Sequence, residues 1–154
     1  MGDLAGKALS NMALQKLVYL AHGWHIMKTG QPLATNHFEA WEWGPVVKCL
    51  YDSLKTYGEQ PVTGRVTWFN AMENRVEMAR APLEDGQRAF LADLFNRYGH
   101  LKAFELSLLT HARGGPWDRV WNAPADEIHI NQRISNDLIR RYFHIHVENA
   151  KNIP

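Results

Sequence analysis

Residues 11–32, "NMALQKLVYLAHGWHIMKTGQP", decide how this chain folds. Leu14, Leu17, Val18, Ala21 and then Trp24 or His25 recur at the i, i+3, i+4, i+7 spacing of one helix face. Leu20 and Met27 widen that stripe to two sides, which predicts a central helix covered by the rest of the domain. Ser10 or Asn11 is placed to cap its start, and Gly30 followed by Pro32 stops it. Gly23 inside the helix costs about 1 kcal/mol relative to alanine, which predicts a close backbone approach at that point.

Working outward, residues 38–47, "FEAWEWGPVV", begin with alternation that suits a short strand: Phe38, Ala40 and Glu42 on one side, Glu39, Trp41 and Trp43 on the other. Gly44-Pro45 then reads as a turn into a helix, with Pro45 at the first helical position. That helix would carry Val46, Val47, Leu50, Tyr51, Leu54 and Tyr57 inward and end at Gly58. Val66 and Trp68, then Val76 and Met78, alternate around a polar "NAMEN" and predict a hairpin. Helical periodicity returns with Phe90, Leu91, Leu94, Phe95 and Tyr98, closed by Gly99, and again with Leu101, Phe104, Leu108 and Leu109. Gly114-Gly115-Pro116 stops one helix and opens a short one over Trp117 to Trp121. Ser135 caps a last helix, with Ile134 and Ile139 forming a hydrophobic staple across it. The expected architecture is mainly α: one compact domain of five or six helices with a small antiparallel β element. Its bounds are residues 10–148, after a flexible lead-in over residues 1–9 and before a tail over residues 149–154.

Composition narrows the function. Seventeen Lys plus Arg stand against sixteen Asp plus Glu, so no basic excess is available to neutralise phosphates. The densest basic stretch, Arg133, Arg140, Arg141 and Lys151 with Asp137 and Glu148, reads as a solvated helix face. Nucleic acid is therefore not an expected partner, and with no helix-turn-helix signal neither is autoregulation by this domain. A lone cysteine, Cys49, forms no internal disulfide and fits a reducing, cytoplasmic setting. No apolar run approaches the roughly 18 residues of a membrane span, and no signal peptide is visible.

Catalytic and metal constellations are missing from the pattern. His22 and His25 share a helix face, but the HExxH spacing is absent and no third ligand sits at a recognisable offset. Cys49 lies mid-helix beside Lys48, away from the helix N-terminus that would activate it. Glu39 and Glu42 face opposite sides of a strand and make no carboxylate pair. No cofactor-binding loop occurs. Six tryptophans are many for 154 residues, and Trp24, Trp41, Trp43, Trp117 and Trp121 all lie near glycine turns or helix ends. Large aromatics are more often core than surface, yet two exposed rings in one cluster would make an anchor patch for another protein.

Three motifs are too particular for coincidence: "LQKLVYLAHGWH" (14–25), "GQPLATNHFEAWEWGPVVKCLYDSLKTYG" (30–58) and "YGHLKAFELSLLTHARGGPW" (98–117). In this order they resemble the SocA-like antitoxin, or Panacea, domain, also described as phage-associated GepA-like proteins. Its pattern runs LQKLLYYAQGWH, IEAWxxGPVVPxVY, YG and THxxGPW. The resemblance spans about residues 10–143, with Lys48 in place of a proline, His22 in place of a glutamine and Leu20 in place of a tyrosine. Residues 62–82 match nothing in the pattern, which leaves that stretch for a partner-specific surface.

The resemblance implies a non-enzymatic antitoxin of a two-gene toxin–antitoxin module, found on phage and mobile elements, that binds a cognate toxin protein directly. At least one branch of the family acts as a proteolytic adaptor that delivers its toxin to ClpXP, so ClpX is a second candidate partner. The expected contact residues are Trp24, Trp41, Trp43, Gly44, Pro45, Tyr51 and Trp117, with no catalytic and no metal residues. Two other readings stand beside this one: a phage-encoded interaction protein acting on a host defence or protease factor, and a small hydrolase or nuclease using His22 and His25 with Glu39 or Glu42. The sequence carries no signature of oligomeric state.

Overall fold

A computed structural model of the chain describes residues 9–79, 82–124 and 132–151, without the side chains of Trp68 and of residues 147–151. The lead-in expected over residues 1–9 lies outside these up to residue 8, and the tail expected from residue 149 does so from residue 152. Leu9 is buried, and its carbonyl accepts the Val62 N–H at 2.8 Å.

Helix α1 (Asn11–Thr29) runs through the middle of the domain. Ser10 caps it by accepting the Ala13 N–H at 3.3 Å, and Gly30 at φ 73° returns its own N–H to Ile26, as the stop signal requires. The chain then forms β1 (Phe38–Trp41) and β2 (Gly44–Val46), followed by helix α2 (Lys48–Leu54) and a 3₁₀ turn (Lys55–Tyr57) that ends at Gly58. A hairpin of β3 (Thr67–Asn70) and β4 (Arg75–Met78) leads to α3 (Asp85–Tyr98), α4 (Ala103–Thr110) and α5 (Pro116–Trp121). Strand β5 (Arg133–Ile134) and helix α6 (Asn136–Lys151) complete the described chain.

Two small antiparallel sheets result, one ordered β2–β1–β5 and the other β3–β4. In the first, Phe38 lies opposite Ile134, and both are fully buried. The staple forms as expected: Ser135 Oγ accepts the Leu138 N–H at 3.2 Å while Ile134 and Ile139 close over the helix start. In the second sheet, Asn70 Oδ1 accepts the Met72 and Glu73 N–H groups, and Asn74 takes φ 47° to close the polar turn. Phe69, Val76 and Met78 share the exposed face of this hairpin.

Helix α1 packs on α4, α6, β2, α2 and α3. Leu17, Tyr19, Leu20, Ala21 and Ile26 are buried in its core face, while Leu14 and Val18 are only half-buried. The central position matches the sequence reading, but its polar content does not. Gln15, Lys16, His22 and His25 are buried too, because neighbouring elements surround the helix and supply partners for them.

Three sequence expectations are corrected. Gly44-Pro45 does not start a helix: both residues belong to β2, and the helix begins three residues after Pro45. Strand β2 lies at the edge of its sheet, where a proline's missing N–H costs no ladder bond, and Val46 and Val47 are buried in extended backbone. The close approach at Gly23 comes from a side chain and not a backbone, since a Cβ there would fall within the Phe143 ring. Helix α4 turns Leu106, Ser107 and Thr110 inward and leaves Phe104, Leu108 and Leu109 exposed.

Candidate functional site

The β1–β2 turn consists of Glu42 and Trp43, with Trp41 paired to Gly44 across it and Gly44 at φ 101°. A tight connection of this kind demands a glycine after the turn, because a side chain disfavours positive φ. Crowding adds a second demand. A Cβ on Gly44 would sit 2.9 Å from Thr110 Oγ1 and 3.0 Å from both Cε and Nζ of Lys16.

Five main-chain groups of this segment are taken by side chains from the surrounding helices. Trp117 Nε1–H donates to the Trp41 carbonyl at 2.8 Å. His111 places Nε2 3.4 Å from the Glu42 carbonyl, and Ser107 Oγ donates to the Trp43 carbonyl at 3.0 Å. Lys16 Nζ donates to the Pro45 carbonyl at 3.2 Å, and Gln15 Oε1 accepts the Val47 N–H at 2.9 Å. Side chains from α1, α4 with its C-cap, and α5 thus hold five main-chain groups between Trp41 and Val47. A typical bond of this type contributes about 0.5–1.5 kcal/mol, so together they offset a good part of the cost of ordering a surface turn.

Among these, Lys16 is exceptional. Its side chain is 1% exposed, and among the described residues no carboxylate pairs with it. Desolvation alone pulls its ammonium down to about 7 from an ordinary 10.5.

Around this held backbone the aromatic rings form two groups. Trp117 is buried, lies 3.9 Å from the His111 ring centre and stacks on Trp121 at 5.7 Å. Trp41 is half-buried, meets Tyr51 edge-on at 4.9 Å and donates its indole N–H to Glu39 at 2.8 Å. Trp43 differs from both, with 61% of its surface exposed. On the helix that holds this turn, the outer ridge of α4 leaves Phe104 and Leu108 63% and 57% exposed. These two residues and Ser107, which holds the Trp43 carbonyl, lie within about one third of the α4 circumference.

The structure therefore brings Trp41, Trp43, Gly44, Pro45, Tyr51 and Trp117 to one corner. Trp24 lies two turns further along α1 from Lys16, where its indole donates to Tyr98 at 3.0 Å and packs on Phe143 and Arg97. Phe104 and Leu108 are exposed on α4, and sequence reasoning missed their exposure. Helix α4 is apolar on nearly every side, so periodicity alone does not select its inner face. The small hydroxyls of Ser107 and Thr110 are the one signal available, since they suit a face pressed against main chain.

The histidine alternative meets a definite geometry. His22 Nδ1 accepts the Ala34 N–H at 3.2 Å, so Nε2 carries the proton and donates to Asn136 Oδ1 at 3.0 Å. Both nitrogens are engaged within the fold. Burial, the largest influence, lowers the His22 pKa below 6.5. The unfolded chain therefore binds more protons just below pH 6.5, and stability falls as pH drops through that window. His22→Gln is expected to flatten the acid side of the stability profile between pH 6.5 and 5, measured by urea midpoints. A glutamine offers the same acceptor and donor pair without titrating.

Gly44→Ala is expected to destabilise the domain by about 2–4 kcal/mol. Left-handed backbone contributes about 1–2 kcal/mol of this, and crowding against Thr110 and Lys16 the remainder. Urea unfolding followed by tryptophan fluorescence measures it directly.

Among the described residues, no helix is long and apolar enough to cross a membrane. Comparison with known proteins agrees with the family that the sequence motifs resemble. Residues 14–118 match the model of the antitoxin SocA-like Panacea domain. Antitoxin SocA of Caulobacter vibrioides is 30% identical over 135 residues, covering 88% of this chain and 72% of that protein. No solved structure matches the chain. On the extent of both matches, the chain belongs to the SocA-like Panacea-domain family of antitoxins.

Proposed function

We propose that this protein neutralises a cognate toxin protein by direct binding, through the surface formed by Trp43 and the Phe104–Leu108 ridge of α4. One observation carries the reading: a turn whose main chain is held by side chains of three helices presents a tryptophan that is 61% exposed. Interface hot spots favour tryptophan because a large rigid ring loses little conformational entropy on contact. Fixing the backbone beneath the ring removes a further ordering cost. Exposed apolar side chains next to such an anchor fit a protein partner better than a small polar substrate. Covering the toxin's active surface is the mechanism that this geometry suits.

The test is growth after induction of the adjacent open reading frame, in a host lacking both genes, with and without this protein. Relief of toxicity together with a stable co-purified complex is the expected result. Relief without a complex, accompanied by falling toxin levels that recover when ClpXP is absent, would replace occlusion with delivery to the protease. Absence of toxicity from the neighbouring gene would overturn the toxin reading and favour a host factor as partner.

A further inference from the structure

We infer that Lys16 is the positioning residue of this surface: its buried Nζ, enclosed by Gly44, Pro45 and Thr110, sets where the turn carries the Trp43 ring. The inference rests on the Trp43 surface being the one that meets the partner.

Lys16 comes from the second turn of α1, the helix at the centre of the domain, so its backbone is held by the surrounding elements. Its stem crosses to β2 and delivers an N–H to the Pro45 carbonyl at 3.2 Å. From the opposite flank, Ser107 takes the Trp43 carbonyl at 3.0 Å. Those two acceptors bracket Gly44, whose missing side chain leaves the space that the lysine tip occupies. Thr110 Oγ1, which donates to the Ser107 carbonyl at 2.8 Å, forms the remaining wall.

Packing alone would be met by a methionine or leucine at position 16. A buried amine with no carboxylate partner among the described residues is a costly choice for stability, lowered in pKa by its own burial. What it adds over an apolar chain is a directed bond to one main-chain oxygen. Residues kept at a cost to stability are characteristic of positions selected for function. Lys16 touches no exposed surface, so its influence on a partner passes entirely through the placement of Gly44, Pro45 and Trp43.

The experiment uses the full chain labelled with 5-fluorotryptophan, with the Trp43 resonance assigned by Trp43→Phe. Lys16→Met is expected to keep the cooperative unfolding transition, with a midpoint at pH 7 no lower than that of wild type. It is also expected to shift or broaden the Trp43 fluorine resonance and to weaken binding of the co-expressed toxin by about tenfold. An affinity that falls while the midpoint does not is a split that a merely structural residue would not produce. Should Lys16→Met fail to fold, Lys16→Gln is read in the same way. An unchanged Trp43 resonance in a folded variant overturns the inference whatever the affinity. Unchanged affinity for the Trp43→Ala variant sinks the surface reading instead, and the resonance shift on Lys16 substitution then stands or falls separately.

Discussion

Lys16→Met is expected to raise stability at pH 6 by about 2–4 kcal/mol and to lose most of that advantage by pH 9. The reasoning follows the protons. In the unfolded chain the amine titrates near 10.5, and in the fold burial brings it to about 7. Between those values the unfolded state binds more protons than the native state, so wild-type stability rises with pH across that window. The displacement, at about 1.4 kcal/mol per unit, corresponds to at most about 5 kcal/mol between pH 6 and pH 10. Methionine fills the same volume without a charge to desolvate, which removes this slope. Against the gain stands an orphaned Pro45 carbonyl, which costs about 1–3 kcal/mol when its donor disappears. The difference of these two terms gives the expected figure at pH 6, and the second alone remains at high pH. Urea midpoints from pH 6 to pH 9.5 measure the slope. A variant with the same pH dependence as wild type would show that Lys16 is not the group responsible.

How far the sequence discloses this architecture depends on the kind of signal each element carries. The ends of α1 are legible because Ser10 and Gly30 act locally: one cap bond and one positive φ require no knowledge of the rest of the chain. The same holds for the "NAMEN" turn, for Gly99, for Pro116 at the first turn of α5, and for the Ile134–Ile139 staple. Tertiary context defeats the reading elsewhere. Gly44-Pro45 carries the local signature of a helix start, but a third strand, β5, comes from nearly ninety residues away and completes a sheet in which this segment is an edge. Nothing near position 45 announces that strand.

The candidate site divides along the same line. Trp41, Trp43, Gly44, Pro45, Tyr51 and Trp117 stand out as large rings and turn residues, and the structure gathers them at one corner. Gln15 and Lys16 look like ordinary polar residues of an amphipathic helix. Their role appears only once the helix is surrounded and β2 lies across it. Ser107 and Thr110 on α4 belong to the same class, because a hydroxyl that bonds main chain is welcome in a buried face. Polar residues aimed at backbone are thus the systematic blind spot, and this site is built from them.

Trp43→Ala is expected to reduce affinity for the partner by about thirtyfold or more, a loss of at least 2 kcal/mol, and to leave stability within about 0.5 kcal/mol of wild type. Both halves follow from one geometry. The ring is mainly exposed, so truncation opens no cavity, and the contacts that hold the turn are made by the Trp43 carbonyl, which alanine retains. Trp117→Ala supplies the contrast. That ring is buried against His111 and Trp121, and its N–H holds the Trp41 carbonyl. Its removal is expected to cost about 3–5 kcal/mol of stability, with any loss of binding arising through unfolding. Leu108→Glu tests the extent of the surface, since a carboxylate on the exposed ridge leaves folding intact but forces a buried charge on any partner seated there. Titration calorimetry for affinity and urea midpoints for stability separate the three variants. If Trp43→Ala and Leu108→Glu both bind as wild type does, the partner sits elsewhere, and the exposed Phe69–Val76–Met78 face of the β3–β4 hairpin becomes the next surface to test.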